Sequence, residues 1–350
     1  MSHRPRILLL YTGGTIGMVN NPATGALMPF NFEHMASQVP ELEKLGVDLH
    51  AITFNPIIDS SDMRPDYWIK MAAMIYDNYE AYDGFVVLQG TDTMAYSASA
   101  MSFILQDLSK PIIFTGSQLP IGTIRTDGKE NLITSIEIAA DQKNGKAIVP
   151  EVCVYFENQL FRGNRTTKHN AEYFYAFRSD NYPALAEAGI NIHYHHNAIL
   201  PVNDKKKPTF HKKFDQSIAM LRLFPGITRQ VVEQISNMDG LKGLILQSYG
   251  AGNVMTDQWF SEVMKHTVDS GVYVLNVTQC RAGGVKMGKY ESSKGLIDAG
   301  IWSGYDMSLE AALTKMMYVL GENMNRGEAE ACFKKSLSGE INTDLIIGER

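Results

Sequence analysis

Short apolar runs alternate with longer amphipathic stretches along most of the chain. The runs are RILLLY, VDLHAITF, GFVVLQ, KPIIFTG and EVCVYF. The segment PDYWIKMAAMIYDNYEAY repeats large apolar side chains at helical spacing, which predicts a helix with a buried stripe. The stripe comprises Tyr67 or Trp68, Met71, Met74 or Ile75, and Tyr79. Because strand-like runs that alternate with helices are typical of parallel sheets, the pattern predicts an α/β fold.

The pattern breaks once, in a polar segment rich in His, Lys, Pro and Asn at residues 193–213, and then resumes with SIAMLRLF, LKGLILQSYG and GVYVLNVTQ. We predict a larger N-terminal domain over 1–195, with a mostly parallel sheet flanked by helices. A linker over 196–214 and a smaller C-terminal α/β domain over 215–350 follow.

Composition and charge narrow the classes of function. The 350 residues carry a formal net charge of −6 and show no basic stripe. Binding to nucleic acid is therefore not expected. No apolar run reaches the roughly 18 residues of a membrane span, and the N-terminal run is too short for a signal peptide. Three scattered cysteines predict neither disulfides nor a zinc site. We therefore expect a cytoplasmic protein whose partner is a small molecule or another protein.

Small polar clusters follow the first four strand-like runs. They are Thr12-Gly13-Gly14-Thr15, Asp59-Ser60-Ser61-Asp62, Gly90-Thr91-Asp92-Thr93 and Thr115-Gly116-Ser117-Gln118. In an open parallel sheet all four would lie at the carboxyl edge, where ligands bind. Each cluster alone is typical of a turn or a helix cap, so the prediction of a site rests on their combination.

The clusters share hydroxyls, backbone amides and a carboxylate. The chain has no phosphate-binding glycine motif, Walker lysine or Gly-x-Ser-x-Gly elbow. This chemistry suits a small zwitterion. A threonine nucleophile needs a neighbouring base, and Lys168 beside a carboxylate such as Asp92 is a candidate, although a lone lysine is more often a solvated charge.

Three motifs, YTGGTIGM, LQGTDTMAYSASAMSF and GNRTTK, resemble in order and spacing the bacterial-type L-asparaginases, and most closely the cytoplasmic type I enzymes. SYGAGN and DMSLEAALTK extend the resemblance over nearly the whole chain. It implies hydrolysis of L-asparagine to L-aspartate and ammonia, without metal or organic cofactor. Thr15 would be the nucleophile and would form a β-aspartyl ester.

The resemblance also implies roles for the other candidates. Lys168 and Thr91 would share a proton relay, and Asp92 would also bind the substrate's α-ammonium group. The α-carboxylate would be bound by Ser60 with Asp59 and Ser61.

Two more residues complete the substrate contacts that the resemblance implies. The Ser117 carbonyl would hold the leaving amide nitrogen. Asn253 would reach across an intimate dimer into the neighbouring site, so we expect a homodimer or a homotetramer.

Two positions depart from the family pattern. The stretch NNPATGALMPF lacks the tyrosine that often activates the nucleophile, and we rank Tyr290 first as its replacement. Some type I enzymes bind a second, allosteric asparagine through an arginine and a cysteine. Here Cys280 is present but Gln247 stands at the arginine position. The residue at this position therefore has no guanidinium group to donate two hydrogen bonds to the carboxylate of an allosteric asparagine.

Other functions remain open on the residues alone. A glutaminase-leaning amidohydrolase and the amidase subunit of a tRNA-dependent amidotransferase are enzymatic alternatives, although the latter would need an additional N-terminal domain. A non-catalytic amino-acid sensor would need neither a nucleophile nor a relay, so Thr15, Thr91, Asp92 and Lys168 together disfavour it.

Overall fold

A computed structural model of the chain describes residues 4–20, 27–29, 39–203, 207–288, 291–342 and 344. The chain divides into two compact units, Met1–Phe210 (unit 1) and His211–Arg350 (unit 2). The described strands of unit 1 are β1 (Arg6–Tyr11), β2 (Met18–Asn20), β3 (Leu27–Pro29), β4 (Asp48–Thr53), β5 (Gly84–Leu88), β6 (Leu105–Gln106), β7 (Ile112–Thr115), β8 (Gln142–Lys143), β9 (Lys146–Ala147), β10 (Val152–Phe156), β11 (Gln159–Arg162), β12 (Thr167–Lys168), β13 (Phe177–Arg178), β14 (Ala186–Ala188), β15 (Ile192–Tyr194) and β16 (Thr209–Phe210). Its described α-helices are α1 (Pro65–Asn78), α2 (Met94–Ile104) and α3 (Gly128–Ala140).

Unit 1 is built on an eight-stranded sheet in the order β15-β14-β11-β10-β7-β5-β1-β4. The five strands from β10 to β4 run parallel, and β11, β14 and β15 extend the sheet antiparallel. Every residue of β5, β7 and β10 is buried. Parallel strands covered on both faces read as continuous apolar runs, which explains the sequence pattern.

Helix α1 confirms the predicted apolar stripe. Trp68, Met71 and Ile75 are buried, and Tyr79, which caps the helix, is fully buried. Helix α3 contributes Leu132 to the same hydrophobic core as the β1 side chains. The core therefore holds the carboxyl ends of the central strands in a fixed register.

Unit 2 contains a four-stranded parallel sheet in the order β17-β18-β19-β20. Its strands are β17 (Ile218–Arg222), β18 (Gly243–Ser248), β19 (Tyr273–Thr278) and β20 (Trp302–Ser303), and its helices are α4 (Arg229–Ser236), α5 (Gln258–Asp269), α6 (Glu291–Asp298), α7 (Leu309–Gly321) and α8 (Arg326–Phe333). Leu244 and Leu246 of the sheet share a core with Val232 and Phe260 of the helices. The predicted fold class, two α/β domains with a larger N-terminal one, is confirmed. No helix in the described ranges is long and apolar enough to cross a membrane.

The predicted linker contains a strand. Phe210 and Thr209 of β16 pair antiparallel with Leu105 and Gln106 of β6. The ring centroids of Phe210 and Tyr76 are 5.1 Å apart. The division between the two units falls directly after this strand. The last residues of unit 1 are therefore anchored by backbone hydrogen bonds between strands. The polar residues around them in the sequence did not indicate a strand.

Unit 2 also buries an ion pair. Lys315 Nζ of α7 lies 2.5 Å from Glu340 Oε1, and both side chains are 0% exposed. Glu340 accepts further hydrogen bonds from the backbone amides of Leu337 and Ser338. Burial acts to raise the pKa of Glu340, but the Lys315 ammonium and these amides outweigh it and lower the pKa.

We expect Glu340→Gln to lower the free energy of unfolding by about 3–5 kcal/mol, because the Lys315 charge would be left buried and unpaired. Urea unfolding measures the change. Glu330→Gln is the matched control, since its pair with Lys334 is half-exposed and such pairs contribute about 0–1 kcal/mol. Because the folded pKa of Glu340 is lowered, its contribution is present above the unfolded pKa near 4.3 and is lost as pH falls below that value. Equal losses for the two variants would contradict this account.

Candidate active site

The four predicted polar clusters lie at one edge of the unit 1 sheet. Three of them form 3₁₀ turns in the segments that follow parallel strands: Thr15–Gly17 after β1, Ser60–Asp62 after β4 and Thr91–Thr93 after β5. The fourth ends β7 and continues into Ser117 and Gln118. Because β7, β5, β1 and β4 are adjacent and parallel, the structure brings the four carboxyl ends together.

Two glycines allow the first three clusters to approach closely. Gly14 has a φ of 95°, and a Cβ at this position would lie 2.4 Å from the Gly90 nitrogen. A Cβ on Gly90 would lie 2.5 Å from Ser60 Oγ. Both distances are too short for real contacts, so only glycine fits. The Thr-Gly-Gly-Thr sequence therefore reflects packing between turns as well as chain reversal.

Thr15 begins the first turn and is partly exposed. The turn is closed by a hydrogen bond from Gly17 N to Gly14 O at 3.2 Å, and Ile121 N donates to Ile16 O at 3.2 Å. Within the described ranges, no hydrogen bond to the Thr15 hydroxyl is present. The backbone of the turn is thus fixed, and none of the described residues occupies the lone pairs of the Thr15 hydroxyl.

Lys168 on β12 joins the third cluster although it is 77 residues away from Thr91 in the sequence. Its Nζ donates to Thr91 Oγ1 at 2.8 Å and to Asp92 Oδ1 at 2.5 Å. The Lys168 side chain is 18% exposed and that of Asp92 is 67% exposed. The lysine is therefore enclosed and paired, whereas the carboxylate keeps a face open to a ligand.

Asp59 and Ser61 hydrogen-bond to each other. Asp59 Oδ1 accepts from Ser61 N at 2.9 Å and from Ser61 Oγ at 2.8 Å, which caps the 3₁₀ turn and lowers the pKa of Asp59. Ser60 is buried between them and Gly90. Thr93 Oγ1 donates to Ser60 O at 2.7 Å, so the second and third turns are locked together.

The segment after β7 is held by residues that the sequence analysis did not single out. The Asp127 carboxylate accepts from the backbone amides of Gln118 and Leu119 at 2.9–3.2 Å. Asn131 Nδ2 donates to Gly116 O at 3.0 Å. Burial raises the pKa of Asp127, against the opposing effect of these amides. Asp127 directly precedes α3, and this is the one sequence signal that could have drawn attention to it.

Gln118 and Ser117 lie on this anchored segment. Thr91 Oγ1 donates to Gln118 Oε1 at 3.3 Å, and Gln118 Nε2 donates to the Tyr173 carbonyl at 3.2 Å. Ser117 is buried and its hydroxyl donates to Leu119 O at 2.5 Å. The hydroxyl of Ser117 is thus occupied within its own loop.

Three predicted residues belong to the second half of the chain. Asn253 of unit 2 lies in a tight turn after β18, where its backbone exchanges two hydrogen bonds with Tyr249 at 2.8 and 2.9 Å. Cys280 is exposed. Tyr290 lies outside the described residues.

Gln247 is buried on β18, next to an arginine that the sequence analysis did not consider. Arg222 on the adjacent strand β17 donates from Nη1 to Gln247 Oε1 at 3.4 Å. The parallel register pairs these two residues directly. A guanidinium group is therefore present beside position 247 even though residue 247 is a glutamine.

Both halves of the chain match models of known protein families. Residues 6–200 match the family model "Asparaginase, N-terminal", and residues 217–333 match the "Glutaminase/Asparaginase C-terminal domain". The chain is 39% identical over 339 residues to L-asparaginase 1 of Escherichia coli (strain K12), covering 97% of this chain and 98% of that protein.

Two solved structures share the fold. The crystal structure of L-asparaginase I from Vibrio cholerae O1 biovar eltor matches with a TM-score of 0.87 at 39% identity, covering 97% of this chain and all of that one (100%). The thermostable L-asparaginase from Thermococcus kodakarensis matches with a TM-score of 0.88 at 28% identity, over 96% and 99% of the two chains. With both of its family models matched and its motifs at one edge of the sheet, the chain belongs to the asparaginase family.

Proposed function

We propose that this chain hydrolyses L-asparagine to L-aspartate and ammonia, with Thr15 as the nucleophile. The contact that carries the proposal is the one between Lys168 and Thr91, at the sheet edge that also holds the Thr15 turn. A sensor has no use for a lysine that is enclosed against a threonine at the same sheet edge as a candidate threonine nucleophile. Proton transfer through such a pair is what acyl transfer from an amide requires.

In the first half-reaction, Thr15 Oγ attacks the side-chain amide carbon and loses its proton. The negative charge on the amide oxygen is stabilised by backbone N–H groups, which a 3₁₀ turn leaves without partners at its start. When the C–N bond breaks, the leaving nitrogen takes up the proton that Thr15 released and departs as ammonia. The β-aspartyl ester on Thr15 remains.

In the second half-reaction, water attacks this ester and its proton passes toward Thr91 and Lys168. The C–O bond to Thr15 then breaks, and Thr15 Oγ takes up the proton that water gave to the relay as L-aspartate leaves. Lys168 is suited to the relay because its amine contacts both Thr91 and a carboxylate.

The substrate's charged groups are matched by separate residues. Asp92 would bind the α-ammonium group, since most of its carboxylate is exposed. Ser60 would bind the α-carboxylate, with Asp59 and Ser61 fixing its turn through their mutual hydrogen bonds. The Ser117 carbonyl would hold the amide nitrogen.

The site would be completed by a second copy of the chain. We propose that Asn253 of one copy contributes to the site of the other in a dimer or a dimer of dimers, and that Tyr290 helps to activate Thr15. We propose a cytoplasmic location, a catalytic domain over 1–195, and a domain over 215–350 that supplies the contact across the dimer.

The defining test measures ammonia release from L-asparagine and from L-glutamine over a range of concentrations. We expect kcat/KM for L-asparagine to exceed that for L-glutamine by about 10–200-fold, the usual discrimination for one methylene group. Treatment with a chelator should leave the rate unchanged, because hydroxyl, amine and carboxylate groups suffice for the chemistry.

The alternatives give different results in this assay. Equal turnover of the two amides would indicate a glutaminase-leaning enzyme. Binding of L-asparagine without any ammonia would indicate a sensor. A loss of activity in chelator would refute the metal-free mechanism.

A further inference from the structure

We infer that Asp127 is a positioning residue that sets the direction of the Ser117 carbonyl, the group proposed to hold the leaving amide nitrogen. The inference rests on the proposed function for its role in turnover. It concerns a side chain that acts on the substrate only through the backbone of the segment after β7.

The peptide unit between Ser117 and Gln118 connects the carboxylate to this carbonyl. The Gln118 N–H donates to Asp127 Oδ2 at 2.9 Å and to Oδ1 at 3.1 Å, and the Leu119 N–H donates to Oδ1 at 3.2 Å. The peptide bond is trans, and in a planar trans peptide unit the C=O points opposite to the N–H. The Asp127 carboxylate therefore directs the Ser117 carbonyl away from the start of α3.

The peptide unit on the other side of Ser117 is held as well. Asn131, a buried residue of α3, donates from Nδ2 to Gly116 O at 3.0 Å. Asp127 Oδ2 accepts from the same nitrogen at 3.3 Å. Asn131 Oδ1 accepts from Glu157 N at 3.1 Å, which fixes the direction in which the amide faces. Because both neighbouring peptide units are held, the backbone of Ser117 has little freedom to turn its carbonyl.

Ser117 lies next to the turn that carries Thr15. A Cβ on Gly128 would lie 3.2 Å from Ser117 Cβ and 3.3 Å from Ile16 Cγ1, so both side chains pack against the start of α3. The Ile121 N–H donates to the Ile16 carbonyl at 3.2 Å. Among the described residues, no hydrogen bond to the Ser117 carbonyl is present. The carbonyl can therefore accept an N–H from a substrate.

The role of this carbonyl can be tested with a pair of substrates. The side-chain NH₂ of L-asparagine has two N–H donors, whereas the β-methyl ester of L-aspartate has a methoxy oxygen in that place and donates nothing. Both would form the same ester with Thr15, and methanol would leave in place of ammonia, taking up the Thr15 proton. A carbonyl that loses its direction should slow the amide and spare the ester. General damage to the site should slow both.

The test compares Asp127→Ala, which removes the acceptor, with Asp127→Asn, which keeps one oxygen and removes the charge. We expect Asp127→Ala to lower kcat/KM for L-asparagine about 5- to 10-fold and to keep that for the ester within about twofold. The ester rate also reports whether the variant has folded. In Asp127→Asn, we expect the amide-to-ester ratio of kcat/KM to fall about two- to threefold, because a charged acceptor forms the stronger hydrogen bond.

Asp83→Ala is the matched control. Asp83 Oδ2 also accepts from a backbone amide of unit 1, that of Arg6 at 2.8 Å. Arg6 begins β1, so this contact lies at the opposite end of the strand from the Thr15 turn. Both substrates should be hydrolysed by this variant at the wild-type rates.

A second readout does not depend on turnover. Hydrogen exchange, followed by mass spectrometry on peptides that cover residues 117–122, should be about tenfold or more faster at the Gln118 and Leu119 amides in Asp127→Ala than in the wild type. A wild type without activity toward L-asparagine would defeat the proposed function and the role in turnover. The faster exchange would still support the contact between Asp127 and the peptide unit.

Three results would overturn the inference. They are equal losses for the amide and the ester in Asp127→Ala, an amide-to-ester ratio that is unchanged in both variants, and unchanged exchange at Gln118 and Leu119. If Asp127→Ala does not fold, the ratio in Asp127→Asn decides.

Discussion

Thr15→Val should reduce ammonia release from L-asparagine by about 10⁴-fold or more, because no ester can form without the hydroxyl. Valine has nearly the same shape as threonine, and the Thr15 hydroxyl has no hydrogen-bond partner within the described ranges. The fold and the affinity for L-aspartate should therefore change little. Steady-state kinetics and calorimetric titration with L-aspartate measure the two quantities separately.

A matched control is Thr123→Val. Thr123 Oγ1 donates to the Pro120 carbonyl on a loop of the same unit, so this variant loses a hydroxyl without losing a nucleophile. It should keep nearly full activity. Substantial turnover by Thr15→Val would mean that the nucleophile is another group, and the assignment of the whole site would then have to be abandoned.

Lys168→Met and Thr91→Val should each lower kcat by about 10²–10⁴-fold, the usual range for loss of a general acid–base group. The double variant should be little slower than the slower single variant, because removing either side chain already disables a relay in which both act together. The 2.8 Å contact between Lys168 Nζ and Thr91 Oγ1 is the reason to treat them as a unit. Kinetics of the three variants at saturating L-asparagine provide the comparison.

Lys143→Met controls for loss of a lysine, since Lys143 lies on the exposed strand β8, and its kcat should match that of the wild type. If the Lys168 and Thr91 effects multiplied in the double variant, the two side chains would be acting in separate steps. That result would contradict a shared relay and would mean that Lys168 and Thr91 have independent roles.

Much of the fold follows from local sequence. Strands β5, β7 and β10 are buried along their whole length, so their apolar runs were unmistakable. The stripe of α1 was equally clear because its period matches the helix. The strand in the predicted linker was missed because β16 has only two residues, Thr209 and Phe210, and its stability comes from pairing with a distant segment.

The sequence by itself determined which residue types stand at the carboxyl ends of β1, β4, β5 and β7, because strand periodicity and glycines mark those ends. It could not determine their hydrogen-bond partners. Asp59 bonds to Ser61 within its own turn, and Gln118 bonds to Thr91 across 27 residues. Arg222 reaches Gln247 only through the register of two parallel strands. A polar side chain bonds to whichever group packing brings within about 3 Å, and for groups far apart in the chain only the tertiary structure sets that distance.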